Sequence, residues 1–242
     1  MFRRLRRFVT DRNYRETRWF YRARPKELLQ PSNVTGFNRY PEIFSFVQRE
    51  LGQHNAATIL SFGCSTGEEV FSLRQYFSQA ALKGIDINPG NIAICNRRLN
   101  SVPDNRIKFE LAGTMAAEAR ESYDAIFCMA VLRHGELART RAGRCDHLLP
   151  FAKFADVIDS FRSCLKPGGL LALCHSNFRL CDAPAGSGFE AIFSIEYNEP
   201  SERTPLFGSD NQILPDETYP DAVFRKTIPP KVDVDESSRH VS

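Results

Sequence analysis

The sequence predicts an α/β fold: a doubly wound, mostly parallel, Rossmann-like sheet with antiparallel edge strands. Three observations predict it. From residue 57 onward, strand-sized apolar runs alternate with segments of helical period, the pattern of a parallel sheet with helical crossovers. A glycine-bounded turn, Gly63-Cys64-Ser65-Thr66-Gly67, separates the first strand from the first helix of that series. Later, Lys166-Pro167-Gly168-Gly169 gives a stop-and-turn signal before the last strand of the series.

The elements follow in order. Residues 1–26 place Phe2, Leu5 and Val9 at helical spacing and then Trp19, Phe20 and Tyr21 among arginines. Gln30-Pro31-Ser32-Asn33 punctuates the chain, and Pro41–Leu51 reads as a helix. Strands are expected at 58–62, 82–87, 107–111, 123–132 and 169–175, and helices at 68–77, 89–99 and 151–165. Phe189–Glu196 and Ala222–Lys226 are candidates for antiparallel edge strands. Tyr197–Asp221, rich in Pro, Ser, Asp and Glu, reads as a long loop or lid. The domains expected are a basic arm at 1–30, a body at 31–228 and a disordered tail at 229–242.

Composition excludes several classes. Hydrophobic residues make up 42% of the chain, an ordinary globular value, and no apolar run approaches the roughly 20 residues that span a bilayer. The N-terminal arginines have no apolar core behind them, so a secretory signal is not expected and the compartment reads as cytoplasmic. Seven scattered cysteines contain no C-x-x-C pair, so no metal site is expected and most read as small buried apolar residues. The net charge of +3 divides unevenly: residues 1–26 carry ten Arg/Lys against two acids, and the rest 22 against 27. The arm's apolar stripe is expected to dock on its own domain; the alternative is contact with an acidic partner or a membrane surface. The acidity of the body argues against a nucleic-acid partner, and no Asp/Asn-Pro-Pro-Tyr/Phe signature is present.

Ligands of an open α/β sheet bind beyond the carboxyl ends of its strands, so chemistry is sought there. The Gly63–Gly67 turn lacks the G-x-G-x-x-G spacing of a dinucleotide site and is followed by Glu68 and Glu69. Two acids at a helix start repel a pyrophosphate and suit a ligand bearing an ammonium and a sulfonium, which points to S-adenosylmethionine rather than NAD. Asp86 ends the second strand about 20 residues past the turn, where a carboxylate can accept the ribose hydroxyls; Asn88, before Pro89, is the better helix cap. The fourth strand runs into Met129-Ala130-Val131-Leu132-Arg133-His134, and His134 is the candidate general base, with a surface histidine at a helix start as the alternative. His175-Ser176-Asn177 is the other polar cluster, and its histidine reads as a structural group.

With those residues in hand, the chain resembles the chemotaxis-receptor (glutamate O-)methyltransferase family. The resemblance rests on Asn33-Val34-Thr35-Gly36-Phe37-Asn38-Arg39, on Gly63-Cys64-Ser65-Thr66-Gly67-Glu68-Glu69, on Asp124–Cys128, and on Leu165–Gly169 through His175-Ser176. It covers about residues 33–178 and implies a class I methyltransferase fold. It also implies Thr35 and Arg39 near the donor's methionine part, Glu68 near its ammonium and Asp86 on the ribose. Asn33, Phe37, Gly63, Cys64, Ser65, Gly67, Ile87, Gly113, Met129 and Ala130 complete the expected donor-binding set. The family has Arg-Asn where Met129-Ala130 stand, and a helical domain where this chain has only a basic arm. The expected activity is methyl transfer to an unidentified small-molecule or protein acceptor, with oxygen favoured. The alternatives are an inert donor-binding module that acts through a partner and, more weakly, a nucleic-acid methyltransferase.

Overall fold

The computed structural model describes residues 20, 22–23, 25–52, 56–196 and 204–228; most of the basic arm and all of the expected tail lie outside them. The elements are α1 (Pro41–Leu51), β1 (Thr58–Phe62), α2 (Glu68–Tyr76), β2 (Ala81–Asp86), α3 (Pro89–Ser101), β3 (Ile107–Leu111), β4 (Tyr123–Met129), α4 (Gly135–Thr140), α5 (Phe151–Cys164) and β5 (Leu165–Cys174). After two short 3-10 turns come β6 (Phe189–Ser194), β7 (Leu206–Phe207), β8 (Ile213–Leu214) and β9 (Asp221–Lys226). One seven-stranded sheet has the order β3-β2-β1-β4-β5-β9-β6, parallel from β3 to β5 and antiparallel at β9 and β6.

The side-chain period of two explains why helices cover both faces. In β4, Ala125, Phe127 and Met129 enter one core while Ile126 and Cys128 enter the other. In β5, Ala172 and Cys174 alternate in the same way with Leu171 and Leu173. Ile43, Phe44 and Val47 of α1, Val70 and Leu73 of α2, and Ile92 and Cys95 of α3 fill the first core. Phe154, Ile158 and Phe161 of α5 fill the second, with Leu137 of α4. Each such fully buried side chain contributes about 1.5–3 kcal/mol against exposure.

Several boundaries differ from the sequence reading. β5 begins at Leu165, not Gly169: Lys166-Pro167-Gly168-Gly169 is absorbed as an irregularity, the pairing with β4 skipping from Tyr123–Leu165 to Ala125–Leu170. β4 stops at Met129 because Ala130 is left-handed, with φ 59°. β9 is interior rather than an edge, lying between β5 and β6. The expected loop at 197–221 is only partly described; its residues 204–221 contain the β7–β8 hairpin, whose Leu206 and Phe207 are buried. Asn88 caps α3 as expected, its side chain accepting from the Gly90 N–H at 2.9 Å. Six of the seven cysteines are buried, and the described residues form no cluster able to hold a metal ion. No helix among the described residues is long and apolar enough to cross a membrane.

Candidate functional site

The carboxyl ends of β1, β2 and β4 open into a cleft with an empty volume of about 850 Å³. Its floor begins at the glycine turn. Gly63 has φ 73°, and a Cβ there would lie 2.6 Å from Val131 Cγ2, so only glycine fits between β1 and the end of β4. The turn's amides are consumed internally: Gly63 and Cys64 N–H both donate to the Ile85 carbonyl at 2.9 Å, Ser65 N–H to Asp86 Oδ2 at 2.8 Å, and Gly67 N–H to the Cys64 carbonyl at 3.0 Å. A pyrophosphate cradle needs such amides free, so the bonding supports the sequence argument against a dinucleotide.

Asp86, 8% exposed, is the hub of the β2 end. Besides Ser65 N–H it accepts from Asn88 N–H at 2.8 Å and Asn91 Nδ2 at 3.0 Å. Burial raises its pKa, and those three donors oppose the rise. A carboxylate has about four acceptor positions, so one remains for a ligand in the cleft.

The two adjacent acids of α2 have separate fates. Glu68 was expected at the donor ammonium but does not line the cleft. It accepts from Thr66 Oγ1 and Arg98 Nη1, each at 2.6 Å, and so ties the turn to α3. Burial pushes its pKa up, but those two bonds outweigh burial and hold it below the ordinary value. Glu69 lines the cleft instead and accepts from Ser61 Oγ at 2.8 Å. Burial raises its pKa to about 7, only partly offset by Ser61 and the Arg39 charge.

A strap of residues 27–40 forms the opposite wall. Gln30 Nε2 donates to the Ala130 carbonyl at 3.4 Å, the Asn33 and Asn91 side-chain amides pair at 3.0 and 3.1 Å, and Asn38 N–H donates to Ser72 Oγ at 2.8 Å. Arg39 donates to the Val34 carbonyl at 3.2 Å and lies over the Tyr40 ring. Of the residues expected at the donor, Asn33, Thr35, Arg39, Gly63, Cys64, Ser65, Asp86, Ile87, Gly113, Met129 and Ala130 line the cleft. Phe37 does not and is 62% exposed. Gly67 does not either: its φ of 94° starts α2 against Cys95, Phe71 and Phe109. The sequence reading missed Glu69, Gln30 and Tyr40, although Glu69 and Tyr40 are immediate neighbours of residues it named.

His134 does not reach this cleft. It precedes α4, its N–H donates to Asn177 Oδ1 at 2.7 Å, and it lines a separate groove with Lys26, Leu28, Pro31, His147 and Lys153 on the other side of the strap. His175 lines a third cavity at the end of β5, and Asn177 is structural, holding His134 N–H and donating to the Pro205 carbonyl at 2.7 Å.

S-adenosylmethionine fits the cleft's donor set. Glu69 and Asp86 present carboxylates to the cleft, the groups that a cation and ribose hydroxyls require, and Arg39 presents a guanidinium, the partner that a carboxylate requires. Three buried polar atoms that line it, Gln30 Oε1, Ser65 Oγ and Tyr40 Oη, have no hydrogen-bond partner among the described residues, as befits a wall completed by a polar ligand.

Residues 60–171 match the family described as "Methyltransferase domain". No curated protein sequence matches the chain. Among solved structures, StiE O-MT (residues 942–1257) is similar at 19% identity and TM-score 0.41, over 54% of this chain and 41% of that one. The cyclase SpnF is similar at 17% and 0.44, over 58% and 47%. A geranyl diphosphate C-methyltransferase from Streptomyces coelicolor, in complex with Mg2+, geranyl diphosphate and S-adenosyl-L-homocysteine, is similar at 15% and 0.41, over 55% and 44%. The match thus spans less than half the length of each. Residues 60–171 thus match a methyltransferase domain, and the sheet around them is the mostly parallel, Rossmann-like sheet with antiparallel members that the sequence predicts.

Proposed function

We propose that the protein transfers a methyl group from S-adenosylmethionine to an oxygen of its acceptor, in the cytoplasm, through a domain of residues 31–228 to which 27–30 of the strap belong. The observation that carries the donor assignment is the cleft in which Glu69, Asp86 and Arg39 meet three unpartnered buried polar atoms. When bound, S-adenosylmethionine supplies an electrophilic methyl group on a sulfonium.

The chain's own residues bind, orient and exclude water. Glu69 holds the ammonium, Arg39 the carboxylate and Asp86 the ribose hydroxyls, while Ile87, Ala112 and Gly113 wall the adenine. The Arg39 and Asn33 positions support kinship with the chemotaxis-receptor methyltransferases at the donor site. Met129 and Ala130 depart from that lineage at the reaction centre, so its acceptor is not carried over. The strap closes over the cleft through Gln30 and Asn33 and shields the sulfonium from water. The described residues lining the cleft include no histidine or lysine, so proton removal from an acceptor falls to a group outside it.

Calorimetry with S-adenosylhomocysteine tests the donor assignment. A single saturable site is expected, and no heat from protein shown to be folded would sink it. Incubation with labelled donor and cell extract then separates an enzyme, which labels a specific product, from an inert binding module.

A further inference from the structure

The groove behind the strap has an empty volume of about 780 Å³, within the range of small-molecule sites. Leu28 and Leu29 line both the groove and the donor cleft, so the strap is the partition between the two spaces. The charged groups of the groove are mostly cationic. Lys26 and Lys153 contribute ammoniums, and His134 and His147 contribute imidazoles. The single carboxylate among the described lining residues, Glu136, is engaged by Arg139 at 3.1 Å.

Lys153 is held in position by backbone rather than by a counter-ion. Its Nζ donates to the Lys26 carbonyl and to the Leu28 carbonyl, the latter at 3.0 Å, which fastens the start of the strap to α5. An ammonium has three donors, so one remains. Burial lowers the Lys153 pKa, and the Glu27 charge opposes the fall without forming an ion pair with it. A partly desolvated cation held only by carbonyls gains free energy when an anion joins it. The basic arm is a poor occupant, because residues 1–26 carry ten Arg/Lys against two acids and so share the sign of the groove. A phosphate monoester carries about −1.5 to −2 charges at pH 7 and accepts at three oxygens, which suits two ammoniums better than one carboxylate would. Leu28, Leu29, Leu148 and the two prolines, Pro25 and Pro31, offer walls to a short apolar body.

We propose that the groove is a second ligand site, which takes a small soluble phosphate monoester with a short apolar body and couples its binding to the donor cleft through the strap. The phosphate lies between Lys26, where the chain enters the strap, and Lys153 of α5, and so holds the strap against the cleft. The site itself goes beyond the donor assignment; only the coupling rests on it.

Octyl phosphate is the probe, titrated by calorimetry into the full chain without donor, so that the groove is tested apart from the donor reading. Saturable binding at one site is expected, with no comparable heat from octanol. Lys26→Met, at an exposed position, should weaken octyl phosphate by about tenfold, and Lys153→Met by more, each variant being shown to be folded by circular dichroism. S-adenosylhomocysteine is then titrated with and without saturating octyl phosphate. Its affinity should rise by about fivefold, a gain that Lys26→Met removes. A lipid source of the phosphate is told apart with vesicles of phosphatidylcholine and phosphatidic acid at about 0.15 M salt. Sedimentation with those vesicles that Lys26→Met abolishes would replace the soluble ligand by a membrane and overturn the proposal. So would no heat from octyl phosphate, equal heat from octanol, or unchanged affinity in both folded variants. An S-adenosylhomocysteine affinity that octyl phosphate leaves unmoved would overturn the coupling. Absence of S-adenosylhomocysteine binding in both titrations would overturn the donor reading and the coupling together, leaving the site to the octyl phosphate result.

Discussion

The two ends of the sheet's ligand side, the cleft at β1 and β2 and the small pocket at β5 and β9, are built on opposite plans. At the β1–β2 end the carboxylates are tied by partners within about 30 residues, Asp86 by Ser65, Asn88 and Asn91, and Glu68 by Thr66 and Arg98, while Gln30 Oε1 and Ser65 Oγ, which line the cleft, have no hydrogen-bond partner among the described residues. Around the small pocket the described lining residues come from 173–176, 204–206 and 218–221, and Thr204 Oγ1 has no hydrogen-bond partner among the described residues. A site assembled from local bonds keeps its carboxylates in place through its own stretch of chain. One assembled from distant loops depends on the placement of each loop, and its shape changes more readily.

That contrast can be broken by substitution, and Asp86→Asn should have the largest effect. The amide turns a donor toward N–H groups that now face an acceptor. It should cost about 1–3 kcal/mol in denaturant unfolding and weaken S-adenosylhomocysteine by at least about thirtyfold in calorimetry. Gly63→Ala forces a Cβ against Val131 in a left-handed backbone, and a loss of about 1–3 kcal/mol of stability is expected.

Glu69→Gln should weaken S-adenosylhomocysteine by about tenfold, whereas Glu68→Gln should weaken it by less than about threefold. The pH dependence sharpens the pair. Folding raises the Glu69 pKa from 4.5 to about 7, so the folded protein holds a proton that the unfolded chain releases. Stability of the unliganded protein therefore falls as pH rises from about 4.5 through 7, by up to about 3 kcal/mol, and Glu69→Gln should remove that slope. Donor affinity should move the opposite way, rising through pH 7 as the carboxylate ionises. The smallest effect is expected for His134→Ala, which should leave S-adenosylhomocysteine affinity within about twofold because the strap separates His134 from the cleft.

The donor end was also the legible end. Period and apolar alternation located β1 and β3 to the residue, and the glycine turn with Asp86 marked the cleft, because the determinants lie close together in sequence. The swap between Glu68 and Glu69 was not readable: adjacent helical residues point about 100° apart, and which one faces the cleft depends on Arg98, 30 residues on. His134 misled because strand ends were counted without the strap. Residues 27–32 carry only a turn signal, yet they line both the cleft and the groove that holds His134. The β7–β8 hairpin was hidden by its two-residue strands, too short to show a period.

The placement of β9 has a consequence for how the protein is made. Among the described residues β6 pairs only with β9, and β9 closes the outer edge of β5, so neither edge can be satisfied until residues 221–226 have left the ribosome. Until then the nascent chain presents the open hydrogen-bonding edge of β5, a template for pairing with other chains. Assembly of the parallel half can begin early; the cavity beside Asp221 is among the last parts to form.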